Sequence, residues 1–136
     1  MEKELLIKQY EIAVKAAIQV TTWRQNANSF YLAVNSAILP STMYLYGVSF
    51  LIALVLSIVG IGISILWSVS IGYFRKLNEI KFAIIHKMEE KLPYKIFKEE
   101  WDKHKKRHMI TVSQIEKFIP VLFIFAFVIP LIIKLI

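Results

Sequence analysis

From Tyr46 to Ile71 the chain reads YGVSFLIALVLSIVGIGISILWSVSI, with no charged side chain and only hydroxyls as polar groups. A helix rises ~1.5 Å per residue, so about 20 residues cross the ~30 Å hydrocarbon core of a bilayer. This stretch is long enough to cross with some tilt. It stops at Arg75 and Lys76, with Trp67, Tyr73 and Phe74 at the same end. Aromatic residues followed by basic ones mark the cytoplasmic edge of a membrane helix. A soluble fold can bury such a helix only inside a large core, and a chain of 136 residues has one small core at best. The sequence therefore predicts a membrane-spanning helix here.

Hydrophobic residues make up 57% of the chain and charged residues 20%, yet the net charge is +7. Those facts coexist because the charge is segregated along the chain. The absence of cysteine excludes a disulfide, a thiolate nucleophile and a cysteine-based zinc site. The start, MEKELLIKQYEI, is charged and amphipathic. It lacks the short apolar core and small-residue cleavage site of a signal peptide, so the chain is expected to keep it.

Residues 3–25 read as a helix, with Leu5, Leu6, Tyr10, Val14, Ala17 and Ile18 as its apolar stripe. Glu4 with Lys8, and Glu11 with Lys15, are Glu-to-Lys pairs four apart, the favourable order. No Gly or Pro intervenes before Pro40, so this helix is expected to run from water straight into lipid as a first span at about residues 27–44. Pro40-Ser41-Thr42 permits a turn or kink. Asn28 and Asn35 are seven apart and share a face. An amide in hydrocarbon must be bonded or wet. The two asparagines are either interhelical glue or the lining of a water-filled path.

The third apolar stretch, FIPVLFIFAFVIPLIIKLI, begins at Phe118. Pro120 is expected in its first turn, and Pro130 to kink or end it. Between Tyr73 and Lys117 lie twelve Lys/Arg against seven acidic residues, while the link between the first two spans has no Lys or Arg. The positive-inside rule then places the N-terminus and the 73–117 segment in the cytoplasm, and the 40–48 turn outside. The expected fold is an all-α membrane protein with about three transmembrane helices and a small cytoplasmic helical bundle. Its parts are a cytoplasmic amphipathic helix (1–25), two spans joined by a short external turn (26–72), a basic cytoplasmic region (73–117) and a third span (118–136). Two spans, with the first stretch only partly inserted, is the alternative count.

In the second span Gly60, Ser64, Ser68 and Gly72 are spaced by four, with Ser57 on the same side. Small residues let helix backbones approach closely in lipid, where there is no hydrophobic drive to associate. Packing within one chain is one reading. The other is a homo-oligomer with the first or second span around its axis, and a thin bundle of three short spans favours it.

In the cytoplasmic region, Leu77, Ile80, Lys81, Ile84, Met88 and Leu92 recur at helical spacing up to about Lys91, and Pro93 breaks the pattern. A short helix at about 94–106 follows, presenting Ile96, Phe97 and Trp101. His104 and His108 have a metal-compatible spacing, but three cations lie between them and no third ligand accompanies them. Glu89-Glu90 and Glu99-Glu100 are flanked by lysines and read as solvated faces. There is no phosphate loop and no nucleophile motif. No catalytic residue, metal or cofactor is expected, so the chain is read as no enzyme. The basic residues satisfy topology and attract anionic lipid. A denser run, Lys103, Lys105, Lys106 and Arg107 beside Trp101, also suits phosphate contacts with base stacking. Arg75, Lys76, Trp101, Lys105, Lys106 and Arg107 are thus the candidate ligand contacts for a nucleotide or oligodeoxynucleotide.

The runs TTWRQNANSFYLAVNSAIL, WSVSIGYFRKLNEIKFAIIHKMEEKLPYKIFKEEW and TVSQIEKFIPVLF resemble RipR-like small bacterial membrane proteins, close to the SLATT type of defence-associated effector. Arg24, Asn28, Asn35, Trp67, Arg75, Leu77, Asn78, Lys81, Phe82, Leu92, Pro93, Phe97, Trp101, Glu116 and Pro120 carry the resemblance. In size and layout the chain is also similar to the membrane effectors of Hailong anti-phage systems. That resemblance implies an oligomeric inner-membrane channel held shut by a short DNA oligomer from a neighbouring nucleotidyltransferase. Loss of the ligand in infection then depolarises the membrane. The alternative class is a non-channel membrane anchor or adaptor that docks a cytoplasmic partner protein.

Overall fold

A computed structural model describes residues 2–91 and 112–136. The described residues form three helices: α1 (Glu2–Leu45), α2 (Phe50–Glu89) and α3 (Val112–Leu135). The short helix expected at 94–106, with Trp101, His104, Lys105, Lys106, Arg107 and His108, lies outside the described residues.

The chain divides into two compact units, one of Met1–Arg24 with Tyr73–Thr111, the other of Gln25–Gly72 with Val112–Ile136. α1 and α2 each contribute to both. In the second unit they are antiparallel, joined by residues 46–49. The Ser49 carbonyl accepts from the Ala53 N–H at 3.1 Å, and the Ser49 N–H donates to Leu45 O at 2.8 Å. Ser49 is thus the N-terminal cap position of α2. Of the turn or kink that Pro40 permits, the turn does not occur there: α1 continues through Pro40 to Leu45. One proline removes one helical hydrogen bond, and the bonds on either side keep the helix going.

The same reasoning corrects the third apolar stretch. α3 starts at Val112, so Pro120 lies two turns inside it rather than in the first turn, and Pro130 does not end it. Two helices, Phe50–Glu89 and the Ile115–Leu135 part of α3, are long and apolar enough to cross a membrane. Only 28% and 11% of their most apolar windows is buried inside the chain. α1 does not pass that test on composition.

The faces that pack follow a seven-residue repeat. On α2, Ala53, Ser57, Gly60, Ser64, Trp67 and Ile71 are buried, alternating steps of four and three. On α1, Asn28, Tyr31, Asn35, Ile38 and Thr42 are buried or half-buried with the same alternation. That 3.5-residue repeat keeps one seam of each helix facing its partner, as in a coiled coil.

In the first unit Tyr10, Val14, Ala17 and Val20 of α1 are buried or half-buried, but Leu5 and Ile18 of the expected stripe are exposed. On α2 Ile85 is fully buried, whereas Ile80 and Ile84 are exposed. Both errors are shifts of about one residue, 100° around a helix. Glu89, expected in water, is fully buried and accepts a 2.9 Å hydrogen bond from the Tyr10 hydroxyl. Burial first, then the bond to Glu89 and the charge of that carboxylate, push the Tyr10 hydroxyl up to about 12 from 10.0.

The raised value has a pH consequence. Tyr10 stays protonated longer in the folded chain, so its stabilisation is fully present below about pH 10 and is lost as pH rises towards 12. Helicity measured from pH 9 to 12 should fall through this window. In Tyr10→Phe that component of the fall should be absent, and stability at neutral pH should drop by ~1–3 kcal/mol, since a buried carboxylate loses a donor. Identical pH profiles for the two proteins would remove Tyr10 as the cause.

Candidate functional site

The buried polar side chains Asn35, Thr42, Ser57 and Ser64 of the second unit lie along the seam between α1 and α2. Asn28 Oδ1 accepts from Trp67 Nε1 at 2.9 Å. One repeat further on, Asn35 Oδ1 accepts from Ser64 Oγ at 3.5 Å, and Ser64 makes its stronger bond, 2.9 Å, to the Gly60 carbonyl of its own helix. Thr42 Oγ1 donates back to Ile38 O at 2.8 Å. The Tyr46 and Ser57 hydroxyls are 2.9 Å apart. Asn28 is half-buried and Asn35 fully buried, so both sit between helices of one chain.

The two asparagines are not equivalent. Asn28 satisfies a buried indole N–H. Asn35 has no exposed surface, and its Nδ2 has no hydrogen-bond partner. A primary amide carries two N–H donors and Ser64 offers one oxygen, so either orientation of the amide leaves a donor over. Asn28→Leu should therefore destabilise the chain by ~1–3 kcal/mol, because the Trp67 N–H is stranded. Asn35→Leu should stay within ~1 kcal/mol of the parent, because Ser64 keeps its bond to Gly60 and an unpaired group is removed. Unfolding by SDS titration separates the two; equal losses would contradict the assignment.

Trp67 joins the three helices of this unit. Its ring stacks on Tyr31 (centroids 6.0 Å apart, planes at 11°) and lies tilted against Phe123 of α3 (6.0 Å, 43°). It is 2% exposed, so it is a packing residue and not part of a lipid-facing aromatic belt. Beside it a half-open pocket of about 160 Å³ is lined by Asn28, Ser29, Leu32, Trp67, Glu116 and Ile119. Pockets that hold drug-sized ligands run to ~300–1,000 Å³, larger than this one.

Of the small residues spaced by four, Ser57, Gly60 and Ser64 are buried. A Cβ on Gly60 would lie within 3.0 Å of three Phe127 ring atoms, so this glycine lets α3 approach α2. Ser68 is exposed, and nothing lies within 4 Å of the place where a Gly72 Cβ would be. A strict spacing of four drifts about 40° per step around a helix, which carries Ser68 and Gly72 off the seam. Trp67 and Ile71 take their places. Sequence reasoning missed Trp67 as a hydrogen-bond donor and the Tyr10–Glu89 pair; the seven-residue alternation on both helices was the available signal.

Among the expected ligand contacts, Arg75 and Lys76 lie in the first unit. Lys76 is exposed, and Arg75 Nε is 3.6 Å from Glu79 Oε1 one turn on. Such an exposed pair is weak, ~0.3–0.5 kcal/mol. Trp101, Lys105, Lys106 and Arg107 are outside the described residues. No group of three metal-binding side chains occurs among the described residues.

Among the described residues, three helices, two of them long and apolar enough to cross a membrane and with α1 and α2 joined along a polar seam, have the make-up of a small helical membrane protein. The chain belongs to the octameric membrane protein family (8xMP), whose model matches residues 7–136. It is therefore an oligomeric membrane protein. No curated protein and no solved structure matches the chain.

Proposed function

We propose that this chain is a three-span membrane effector of bacterial anti-phage defence, an ion channel of eight copies gated by a cytoplasmic nucleotide or DNA oligomer. One observation carries the channel part. The Asn28–Trp67, Asn35–Ser64 and Tyr46–Ser57 bonds tie α1 and the following turn to positions 57, 64 and 67 of α2. The latter are the middle of an apolar span, so α1 lies at the same depth although its composition is too polar to be counted alone. A polar helix at membrane depth, repeated around an axis, is what an aqueous path requires. The family's name supplies the number eight.

The orientation follows from charge: N-terminus and residues 73–117 in the cytoplasm of a multi-pass inner-membrane protein. Arg75 and Lys76, with Trp101, Lys105, Lys106 and Arg107, are the proposed ligand contacts. Ligand binding to one of two states shifts the channel between shut and open. The defence role, and a nucleotidyltransferase as the ligand's source, come from the resemblance to RipR-like and SLATT-like proteins and to the Hailong effector HalB. No catalysis is assigned to the chain.

The test is to purify the protein in detergent from cells carrying the neighbouring genes, and to identify bound nucleotides by mass spectrometry. A closed oligomer with a copurified oligonucleotide is expected, and expression without those genes should depolarise cells. Nucleotide-free protein that leaves the membrane potential intact would sink the channel and point to an adaptor.

A further inference from the structure

The outer faces of the second unit differ in kind. On α2 the exposed side chains include Val55, Ile58, Leu66 and Val69, and on α3 Leu122, Phe125, Ile129 and Ile133. These suit lipid. On α1 the exposed residues Gln25, Ser29, Ala33, Ser36 and Pro40 share one face, roughly an 80° arc at 3.6 residues per turn, with Met43 at its far end and the exposed Phe30 and Leu32 on its flanks. Ala33, Ser36 and Pro40 point away from the Asn28–Asn35 seam, and Ser29 also borders the pocket beside Trp67.

Pro40 adds a second, independent observation. It lies inside α1 and has no N–H to give the Ser36 carbonyl, four residues back. Ser36 follows Asn35, which is level with Ser64 in the middle of the apolar part of α2. The outer face of α1 thus presents, at mid-membrane depth, hydroxyls, an amide at one end and a backbone carbonyl released from the helical ladder. Hydrocarbon offers no partner to any of them.

We infer that the α1 face of Gln25, Ser29, Ala33, Ser36 and Pro40 is turned towards the oligomer's axis, against α1 of neighbouring copies, while α2 and α3 face lipid. The inference rests on the three-span reading above. The family's oligomeric state supplies the partner copies. Small side chains along the face let neighbouring backbones approach, and the released carbonyls and hydroxyls of several copies then border one central space.

The chain has no cysteine, so single cysteines can be placed without background. Full-length protein carrying Ser29→Cys, Ser36→Cys, Phe30→Cys, Leu66→Cys or Leu122→Cys is nitroxide-labelled in liposomes. Collision with oxygen, which partitions into lipid, and with a water-soluble nickel chelate is then measured. Oxygen access several-fold lower at 29 and 36 than at 66 and 122 is expected, with or without nickel access at 36 alone. Oxygen access at 36 equal to that at 66 overturns the inference and leaves three spans standing. High nickel access at both 30 and 36 puts α1 in water all round and overturns the inference together with the span reading.

Discussion

Replacing Trp67 with alanine is expected to cost ~3–5 kcal/mol, as large aromatic-to-alanine changes in packed cores do. The ring is 2% exposed, stacked on Tyr31 of α1 and set against Phe123 of α3, so its removal opens a cavity where three helices meet. Asn28 Oδ1 also loses its 2.9 Å donor. Trp67→Phe separates the two contributions: most of the volume remains and the N–H goes, so its loss should be ~1–3 kcal/mol. The measurement is thermal survival of the oligomer in detergent by size-exclusion chromatography. Trp67→Ala should disperse it well below the temperature at which the parent holds, with Trp67→Phe between them. Parent-like survival of the alanine variant would refute the role given to Trp67.

The second large effect is expected at Gly60. Its missing side chain is the space into which Phe127 fits, and Phe127 is itself 1% exposed. Gly60→Ala should therefore cost ~1–3 kcal/mol by overpacking, although alanine is the better helix former by ~1 kcal/mol. Gly62→Ala is the control, because nothing lies within 4 Å of the added carbon and only the helix preference acts. It should be neutral or stabilising. Shrinking the facing ring with Phe127→Leu should relieve Gly60→Ala, giving a double mutant less damaged than the two single losses predict. Additive losses would mean that the two residues do not share this contact. The seam asparagines and Tyr10 make smaller claims, and they are the claims that test polar bonding rather than volume.

Much of this arrangement is legible in the sequence, and its mistakes have particular causes. The long uncharged run of α2, the continuity of α1 up to Pro40 and the pairing of Asn28 with Asn35 on one face all follow from local pattern. Ser57, Gly60 and Ser64 were visible as small residues at close spacing. The strict four-residue extension to Ser68 and Gly72 fails as intrachain packing because two helices that stay together follow a repeat of 3.5. Proline was a poor guide to helix ends: α1 runs past Pro40, α3 starts two turns before Pro120 and runs past Pro130, because the bonds on either side of each proline carry the helix on. Glu89 misled because a carboxylate among lysines normally points to water; only the partner helix, with Tyr10, shows that it is buried.

What the sequence determined by itself is the medium: uncharged runs of this length, in a chain with room for only one small core, suit lipid, because the transfer of their apolar surface is a property of each residue summed along the chain. Tertiary structure decided which polar groups meet. Asn28 with Trp67, Asn35 with Ser64, and the space at Gly60 that admits Phe127 depend on rotation and register between helices. A turn of 100° per residue makes these sensitive to a single step, and no local preference encodes them.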